Sequence, residues 1–156
     1  MSKKILVPLD GSELAECVLP HVETSARGCS VPDVIFLRVI EPFQKVSGWE
    51  SNTLLSTDEI RKIESQNKAA ATQYLKELVK RTKFADANTK YEVLVGAAPE
   101  TITDYAAKKE VDLIVIATHG RSGISRWVWG SVADRILRSA CIPVFMVRAP
   151  GCVPGI

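Results

Sequence analysis

Glycines and a serine are concentrated in one short stretch near the C-terminal end of the chain, with a spacing suited to holding an anion. Gly120, Gly123 and Gly130 follow a run of branched apolar residues, and Ser131 comes directly after the last glycine. Glycine lets backbone N–H groups approach a ligand without a Cβ in the way, and the first turn of a helix carries unpaired N–H donors. The stretch therefore favours a phosphate site on a glycine loop between a strand and a helix.

The same residues also fit an interpretation that needs no ligand. Strand–loop–helix turns are common in α/β proteins, and Ser131 with Asp134 three residues later fits a helix capping box. Two familiar nucleotide loops do not match, because no Gly-Lys-Ser/Thr follows the glycines and G-x-G-x-x-G does not occur. From the glycines alone, a phosphate site and a purely structural turn both stay open.

Length and composition are typical of a single globular domain. The chain has 156 residues, 46% hydrophobic and 24% charged, with a formal net charge of +2. A charge so close to balance predicts no nucleic-acid and no membrane partner. The apolar runs are strand-sized, and the apolar stretch near the N-terminus breaks at Pro8, unlike a signal peptide. We therefore expect a cytoplasmic location.

Cysteines and histidines do not form a metal-binding pattern. The four cysteines are Cys17, Cys29, Cys141 and Cys152. They lack C-x-x-C spacing, and His21 and His119 are the only histidines, so no zinc set can be assembled. Cys17 and Cys141 lie in apolar contexts and are expected to be buried. The thiol state is favoured over a disulfide because the protein is expected in a reducing compartment.

Strands and helices alternate along the chain. Strands are predicted at 4–9, 34–40, 89–95, 113–116 and 143–148, and helices at 13–26, 59–83, 100–109 and from 131 onward. Thr57-Asp58 is the expected cap of the second helix, and Pro20 is expected to kink or break the first. In the last helix Val132, Ile136 and Leu137 are predicted to face the core. The connection from Glu41 to Thr57 is expected to act as a lid or a contact surface.

This alternation predicts an α/β fold, a three-layer doubly wound sandwich with a five-stranded parallel sheet of strand order 3-2-1-4-5. A single domain at 1–148 and a flexible tail at 149–156 are expected. The switch point of such a sheet lies between strands one and four, where ligands bind at the carboxyl ends. Asp10 and the loop 117–130 would meet there. An alternative for Asp10 is a helix N-cap paired with Glu13.

With these elements in order, the chain resembles the universal stress proteins of the adenine-nucleotide α-hydrolase-like superfamily. The resemblance spans nearly the whole chain: the opening I-L-V-P-L-D-G-S, V-I-E-P after strand two, the G-x-x-P turn before helix three, and the C-terminal glycine motif. That motif is a glycine, two residues, a glycine, nine residues, then Gly-Ser or Gly-Thr. Gly120 and Gly130-Ser131 match it, whereas its first glycine is Ala117 here, which adds one methyl group.

The resemblance implies ATP or AMP as the ligand, with Mg²⁺ as a companion of the phosphates, and it implies roles for individual residues. Asp10 would hydrogen-bond the adenine or ribose edge beside Pro8, and Val39 would pack against the adenine face. The ribose side and the phosphates would be held by Ile116, Ala117, Gly120, Gly130, Ser131 and Val132. Arg121 and Arg126 are inferred from their position to add positive charge near the phosphates.

The resemblance also implies a homodimer through the last strand, Pro143 to Arg148. An apolar edge strand needs protection, and pairing it with its copy across a two-fold axis supplies that. Trp127 and Trp129 are expected to serve packing or an interface. The leading hypothesis is a cytoplasmic, dimeric nucleotide-binding module that acts in stress response through protein partners the sequence does not identify.

Other functions were weighed against this one. A dimeric scaffold that binds no nucleotide is the main alternative, and Ala117 is the feature that favours it. Enzymes of the superfamily carry Ser-Gly-Gly-x-Asp-Ser or His-Ile-Gly-His, and neither occurs here. His119 and Ser122 have no carboxylate partner for a triad, so at most weak ATP hydrolysis is expected. A phosphorylation receiver needs clustered acidic residues, and Asp10 alone is suitably placed.

Overall fold

The computed structural model describes residues 3–43, 56–84, 87–118 and 131–149. The strands are β1 (Lys4–Pro8), β2 (Asp33–Ile40), β3 (Asn88–Val95), β4 (Leu113–Ala117) and β5 (Val144–Val147). The α-helices are α1 (Leu19–Gly28), α2 (Thr57–Arg81), α3 (Ala98–Lys108) and α4 (Ser131–Ser139), and a short 3-10 helix covers Ala15–Val18. The chain therefore has the alternation of strands and helices that its sequence predicts.

The sheet has five strands in the order β3-β2-β1-β4-β5, and the strand pairs are all parallel. This confirms the predicted topology and its switch point between β1 and β4. Alternate residues of each strand enter two separate apolar clusters. One lies against α1 and α2 and includes Val7, Phe36 and Leu75, and the other lies against α3 and α4 and includes Leu6 and Ile136. The sheet is thus the middle layer of a three-layer sandwich.

The first helix is interrupted near Pro20, as predicted, and the interruption divides it into two elements. The 3-10 helix Ala15–Val18 comes first, and α1 begins at Leu19 with the proline in its first turn. Proline is tolerated there because the backbone N–H that it lacks would have no partner within the helix. The division lets Ala15 and Val18 pack against the sheet, where both are buried.

Helix α2 begins at Thr57, two residues before the predicted start at 59. The N-cap is Ser56, not Thr57-Asp58: its hydroxyl accepts a hydrogen bond from the Glu59 backbone N–H at 3.2 Å. The Glu59 carboxylate in turn accepts one from the Ser56 backbone N–H at 2.7 Å. This reciprocal capping box needs serine and glutamate three residues apart, a pattern that was available in the sequence. The buried residues of α2 are Ala71, Leu75 and Leu78, all in its second half.

Several side chains lie elsewhere than the sequence predicted. Leu137 is 46% exposed, and the buried residues of α4 are Ala133 and Ile136, because a short helix presents only a narrow stripe to the sheet. Cys141 is exposed and Cys17 only partly buried, so the expectation of buried thiols was wrong for Cys141. Residues 44–55 of the expected lid or contact connection lie outside the described residues.

Candidate functional site

The carboxyl ends of β1 and β4 diverge at the switch point. In the described chain the ladder between these strands joins Ile5 with Leu113 and Leu6 with Ile114. Beyond that level β1 stays paired with β2 as far as Pro8, and the Leu9 backbone N–H donates to the Leu37 carbonyl at 2.9 Å. On the other side β4 continues along β5, and the Thr118 N–H donates to the Val147 carbonyl at 2.9 Å. Doubly wound sheets bind their ligands in a crevice outside the carboxyl ends of the strands at such a switch point.

Asp10 lies at the rim of this crevice, two residues after the end of β1, and its side chain organises a tight turn. Its Oδ1 accepts hydrogen bonds from the Ser12 backbone N–H at 2.9 Å and from the Ser12 hydroxyl at 2.6 Å. The Ser12 Oγ then accepts from the Ala15 backbone N–H at 3.2 Å, at the start of the 3-10 helix. The expected alternative, an N-cap by Asp10 paired with Glu13, is not what forms: the N-cap of the 3-10 helix is Leu14, and the Asp10 carboxylate orients Ser12.

Three of the predicted ligand residues share the α3/α4 side of the sheet. Ile116 is buried there, and Val39 and Val132 are partly buried and pack against the same apolar cluster. Val39 is the penultimate residue of β2, and Val132 lies in the first turn of α4. The fold thus brings residues from three distant parts of the chain into one apolar wall beside the crevice.

Pro8 and Ala117 are the last residues of β1 and β4, the strands that border the crevice. Both are buried. The Ala117 side chain belongs to the opposite cluster, with Val115, Ala15 and Val18 on the α1/α2 side. Its methyl group therefore points away from the wall formed by Val39, Ile116 and Val132. The departure from the glycine motif is accommodated in the core.

The glycine loop itself lies outside the part of the chain that the structure describes. This holds for Gly120, Arg121 and Gly130, and equally for His119, Ser122, Arg126, Trp127 and Trp129. Ser131 is described: it is the first residue of α4 and is exposed. Helix α4 thus begins where the sequence predicts, with its N-terminal end adjacent to the loop.

Sequence reasoning missed Arg38. This residue interrupts the apolar run of β2, and its guanidinium reaches the Asp10–Ser12 turn. A Cβ placed on Gly11, whose φ is +81°, would lie 2.8 Å from Arg38 Nη1 and 3.4 Å from Cζ. A charged residue inside an otherwise apolar strand was the available signal, because such a residue needs a polar environment when it is partly buried.

A polar network extends behind Arg38 to α2. The Tyr74 hydroxyl donates to Glu16 Oε1 at 2.9 Å, and Arg81 Nη2 donates to both Glu16 oxygens at 2.6 Å. Burial raises the pKa of Tyr74 above its usual range, and the hydrogen bond and charge of Glu16 add to this, while the charges of Arg81 and Arg38 act in the opposite sense. Tyr74 thus remains a neutral hydrogen-bond donor, as its contact with Glu16 requires.

Among residues 3–43, 56–84, 87–118 and 131–149, no three His, Cys, Asp or Glu side chains converge as a metal ion would require. In the same portion of the chain, no helix is long and apolar enough to span a membrane.

The sheet order and the alternation of strands and helices define a doubly wound α/β domain, and its topological switch point lies between β1 and β4. The family model of the universal stress protein family matches residues 1–148. The chain therefore belongs to the universal stress protein family.

Individual relatives agree with this assignment over most of their length. The universal stress protein MJ0531 of Methanocaldococcus jannaschii is 32% identical over 149 residues, covering 95% of this chain and 83% of the relative. MJ0577 of the same organism is 29% identical over 156 residues, covering 95% and 96%. A solved structure of MJ0577 has a TM-score of 0.78 and 25% sequence identity, covering 97% of this chain and 99% of that one.

Three more distant structures with the same fold contain adenine nucleotides. One is a universal stress protein in complex with cAMP, with a TM-score of 0.66, 20% identity and coverage of 94% and 97%. An Arabidopsis thaliana family protein has AMP bound, with a TM-score of 0.63, 15% identity and coverage of 96% and 93%. The Archaeoglobus fulgidus universal stress protein is in complex with dAMP, with a TM-score of 0.56, 23% identity and coverage of 94% and 98%. At these identities the likeness establishes the shared fold.

Proposed function

We propose that this universal stress protein binds an adenine nucleotide, ATP or AMP, in the crevice between β1 and β4. The observation that carries the proposal is the divergence of these strands beyond Leu6 and Ile114, next to a carboxylate and an apolar wall. Proteins of the same fold hold AMP, dAMP and cAMP. A flat apolar base and a polar sugar need such a combination of apolar surface and few hydrogen-bonding groups.

In this proposal each residue has a defined task. Asp10 accepts a hydrogen bond from the adenine or ribose edge, and Val39 packs against the base. Pro8 and Ile116 line the crevice, and Ala117 borders it by its backbone. The phosphates are held by Gly120, Arg121, Gly130, Ser131 and Val132, where unpaired N–H groups at the start of α4 favour negative charge. Mg²⁺ that accompanied the phosphates would take its ligands mainly from them and from water.

Variants at the described residues test this assignment. Asp10→Ala and Ser131→Ala should each weaken AMP binding, measured by isothermal titration calorimetry, by about tenfold, because each removes a hydrogen bond to a polar or charged ligand group. Asp104→Ala on α3 and Ser139→Ala at the far end of α4 are matched controls, both exposed. Unchanged affinity in the two site variants, with binding intact in the wild type, would refute the site assignment.

We further propose that the chain forms a homodimer through β5 and acts in the cytoplasm, in stress response, as a single domain at 1–148 followed by a short tail. Strand β5 lies at the edge of the sheet, and its Phe145 is 40% exposed, with its ring edge-on to His21 at 5.8 Å between centroids. An exposed apolar edge strand favours pairing with a copy of itself. Ala149, the first residue of the proposed tail at 149–156, is buried.

A substitution at Phe145 tests the proposed dimer interface. Phe145→Glu places charges at the two-fold axis and should convert the dimer to a monomer in size-exclusion chromatography with light scattering. Val95→Glu is the matched control, because Val95 is 56% exposed on β3 at the opposite edge of the sheet. Dimers that persist with Phe145→Glu, or that are lost with Val95→Glu, would contradict the assignment to β5.

Catalysis is not part of the proposal beyond weak ATP hydrolysis. A dimeric scaffold without nucleotide was favoured by Ala117 alone, and the direction of its methyl group into the α1/α2 core weakens that alternative.

A further inference from the structure

The guanidinium of Arg38 covers the turn that carries Asp10. Arg38 follows Phe36 by two residues on β2, and residues two apart in a strand point to the same face of the sheet. Because Phe36 faces the α1/α2 cluster, the Arg38 side chain leaves the sheet on that side. All three terminal atoms of the guanidinium lie near Gly11: a Cβ there would be 2.8 Å from Nη1, 3.4 Å from Cζ and 3.6 Å from Nη2. The guanidinium therefore lies next to Gly11, the neighbour of Asp10, with Nη1 nearest to the place that a side chain would take.

Gly11 is adapted to this contact in two respects. Its φ of +81° lies in the region that L side chains rarely adopt, and the absence of a Cβ leaves room for the guanidinium. On the far side of the turn, Ser12 is hydrogen-bonded to the Asp10 carboxylate at both its N–H and its hydroxyl. The turn is consequently held from two sides, by Ser12 along the chain and by Arg38 across the sheet.

Arg38 also lies near a polar network on α2. Its charge acts on the Tyr74 hydroxyl, and Tyr74 and Arg81 both bind Glu16 of the 3-10 helix. The arginine thus lies between the Asp10 turn and a polar network that joins α2 to the 3-10 helix. A planar, permanently charged group with several donors suits such a place better than a flexible lysine.

We propose that Arg38 is a positioning residue, which fixes the Asp10–Ser12 turn so that the Asp10 carboxylate faces the adenosine part of the nucleotide. The inference rests on the proposed function, because Asp10 is a nucleotide ligand only within it. Arg38 does not contact the nucleotide in this account; it acts through Asp10. Preorganising a hydrogen-bonding group saves the ligand the cost of ordering it.

A double-mutant cycle separates this role from a general structural one. AMP affinity is measured by isothermal titration calorimetry for the wild type, Arg38→Met, Asp10→Ala and the double variant. We expect Arg38→Met to weaken AMP binding about tenfold alone but less than about twofold in the Asp10→Ala background, because residues that act as one unit are not additive. Arg38→Lys keeps the positive charge but not the planar guanidinium. Its AMP affinity should lie between the affinities of Arg38→Met and the wild type.

The controls distinguish the possible failures. Arg27→Met removes one positive charge from an exposed side chain of α1 and should leave AMP affinity unchanged. Equal losses from Arg38→Met in both backgrounds, or no loss in either, would overturn the positioning role while leaving the nucleotide site intact. No AMP binding by the wild type would overturn the proposed function and this inference with it. If Arg38→Met does not fold, the same cycle with Arg38→Lys decides the matter.

Discussion

The Tyr74 hydroxyl donates a hydrogen bond of 2.9 Å to Glu16 Oε1, joining α2 to the 3-10 helix after β1 across 58 positions of sequence. Glu16 is also bound by Arg81, and its side chain is only 17% exposed. The carboxylate therefore has two donors from the second half of α2, the half that packs on the sheet. Because the 3-10 helix follows directly on the Asp10 turn, this contact ties the edge of the candidate site to the longest helix of the domain.

Tyr74→Phe should lower the free energy of unfolding by about 1 kcal/mol, because it removes a partly buried hydrogen bond to the Glu16 carboxylate. The loss should be no larger, because Glu16 keeps Arg81 as a partner. The measurement is urea denaturation at neutral pH. Gln73→Ala serves as a control, since its amide bonds the exposed carboxylate of Glu77 one turn along the same helix. A Tyr74→Phe variant as stable as the wild type would show that the network contributes no stability.

Tyr105 should make the protein less stable in alkaline solution. Burial raises the pKa of Tyr105 to about 12, with further contributions from the charge and hydrogen bond of Glu92. The ordinary pKa is about 10, so above that pH the unfolded chain loses its proton while the folded chain keeps it. The free energy of unfolding should therefore fall as pH rises from about 10 towards 12.

Tyr105→Phe tests this directly, because it removes the ionisable group and keeps the ring. The variant should lose less stability than the wild type between pH 9 and pH 11 in urea titrations. Any fall in the free energy of unfolding with pH that remains in the variant comes from other titrating groups, including Tyr74, whose pKa is also raised. Parallel pH profiles of the two proteins would be inconsistent with a neutral, buried Tyr105.

Ala117→Gly distinguishes a methyl group that obstructs nucleotide from one that packs in the core. The structure places the methyl in the α1/α2 cluster, where Ala117 is 8% exposed. The substitution should lower the free energy of unfolding by about 1–2 kcal/mol, through lost apolar burial and added backbone freedom within a strand. AMP affinity should not increase. A clear gain in affinity would mean that the alanine restricts the site.

The ion pair between Glu100 on α3 and Arg135 on α4 should contribute little. Both side chains are more than half exposed. A double-mutant cycle with Glu100→Gln and Arg135→Met should give a coupling below about 1 kcal/mol, and one that decreases with added salt. The exposed Asp134–Arg138 pair within α4 provides a comparison at i,i+4 spacing. A larger coupling, independent of salt, would indicate that the pair holds the two helices together.

The sequence predicted the topology well, and the reason lies in the strand cores. Runs such as Ile5 to Val7 and Leu113 to Ile116 are apolar on both faces, which only a buried parallel strand requires. Their alternation with helical patterns then restricts the connections to a few topologies. Crossing from strand three back to strand four is the step that places the ends of β1 and β4 on either side of the switch point, and the observed sheet order confirms that crossing.

What the sequence could not supply was the direction of single side chains. Leu137 was placed with Val132 on the core side of the helix, but the buried residues of α4 are Ala133 and Ile136, and Leu137 is 46% exposed. The sequence shows that Ala117 replaces the first glycine of the family motif, yet the effect of its methyl group on nucleotide binding depends on which face of β4 it occupies. The contact of Arg38 with Gly11 joins positions that lie far apart in the chain and follows only from the pairing of β1 with β2.

Nucleotide carried by the purified protein is the most direct test of the central claim. Freshly purified chain is denatured, and the released small molecules are separated by ion-exchange chromatography. The account predicts adenine nucleotide at near one equivalent per chain, which corresponds to a dissociation constant of about 1 μM or tighter. It also predicts a rise in the unfolding temperature with added ATP or AMP, since a ligand that binds only the native state stabilises it. A protein that releases no nucleotide, and whose unfolding temperature does not change in millimolar ATP or AMP, would contradict the account.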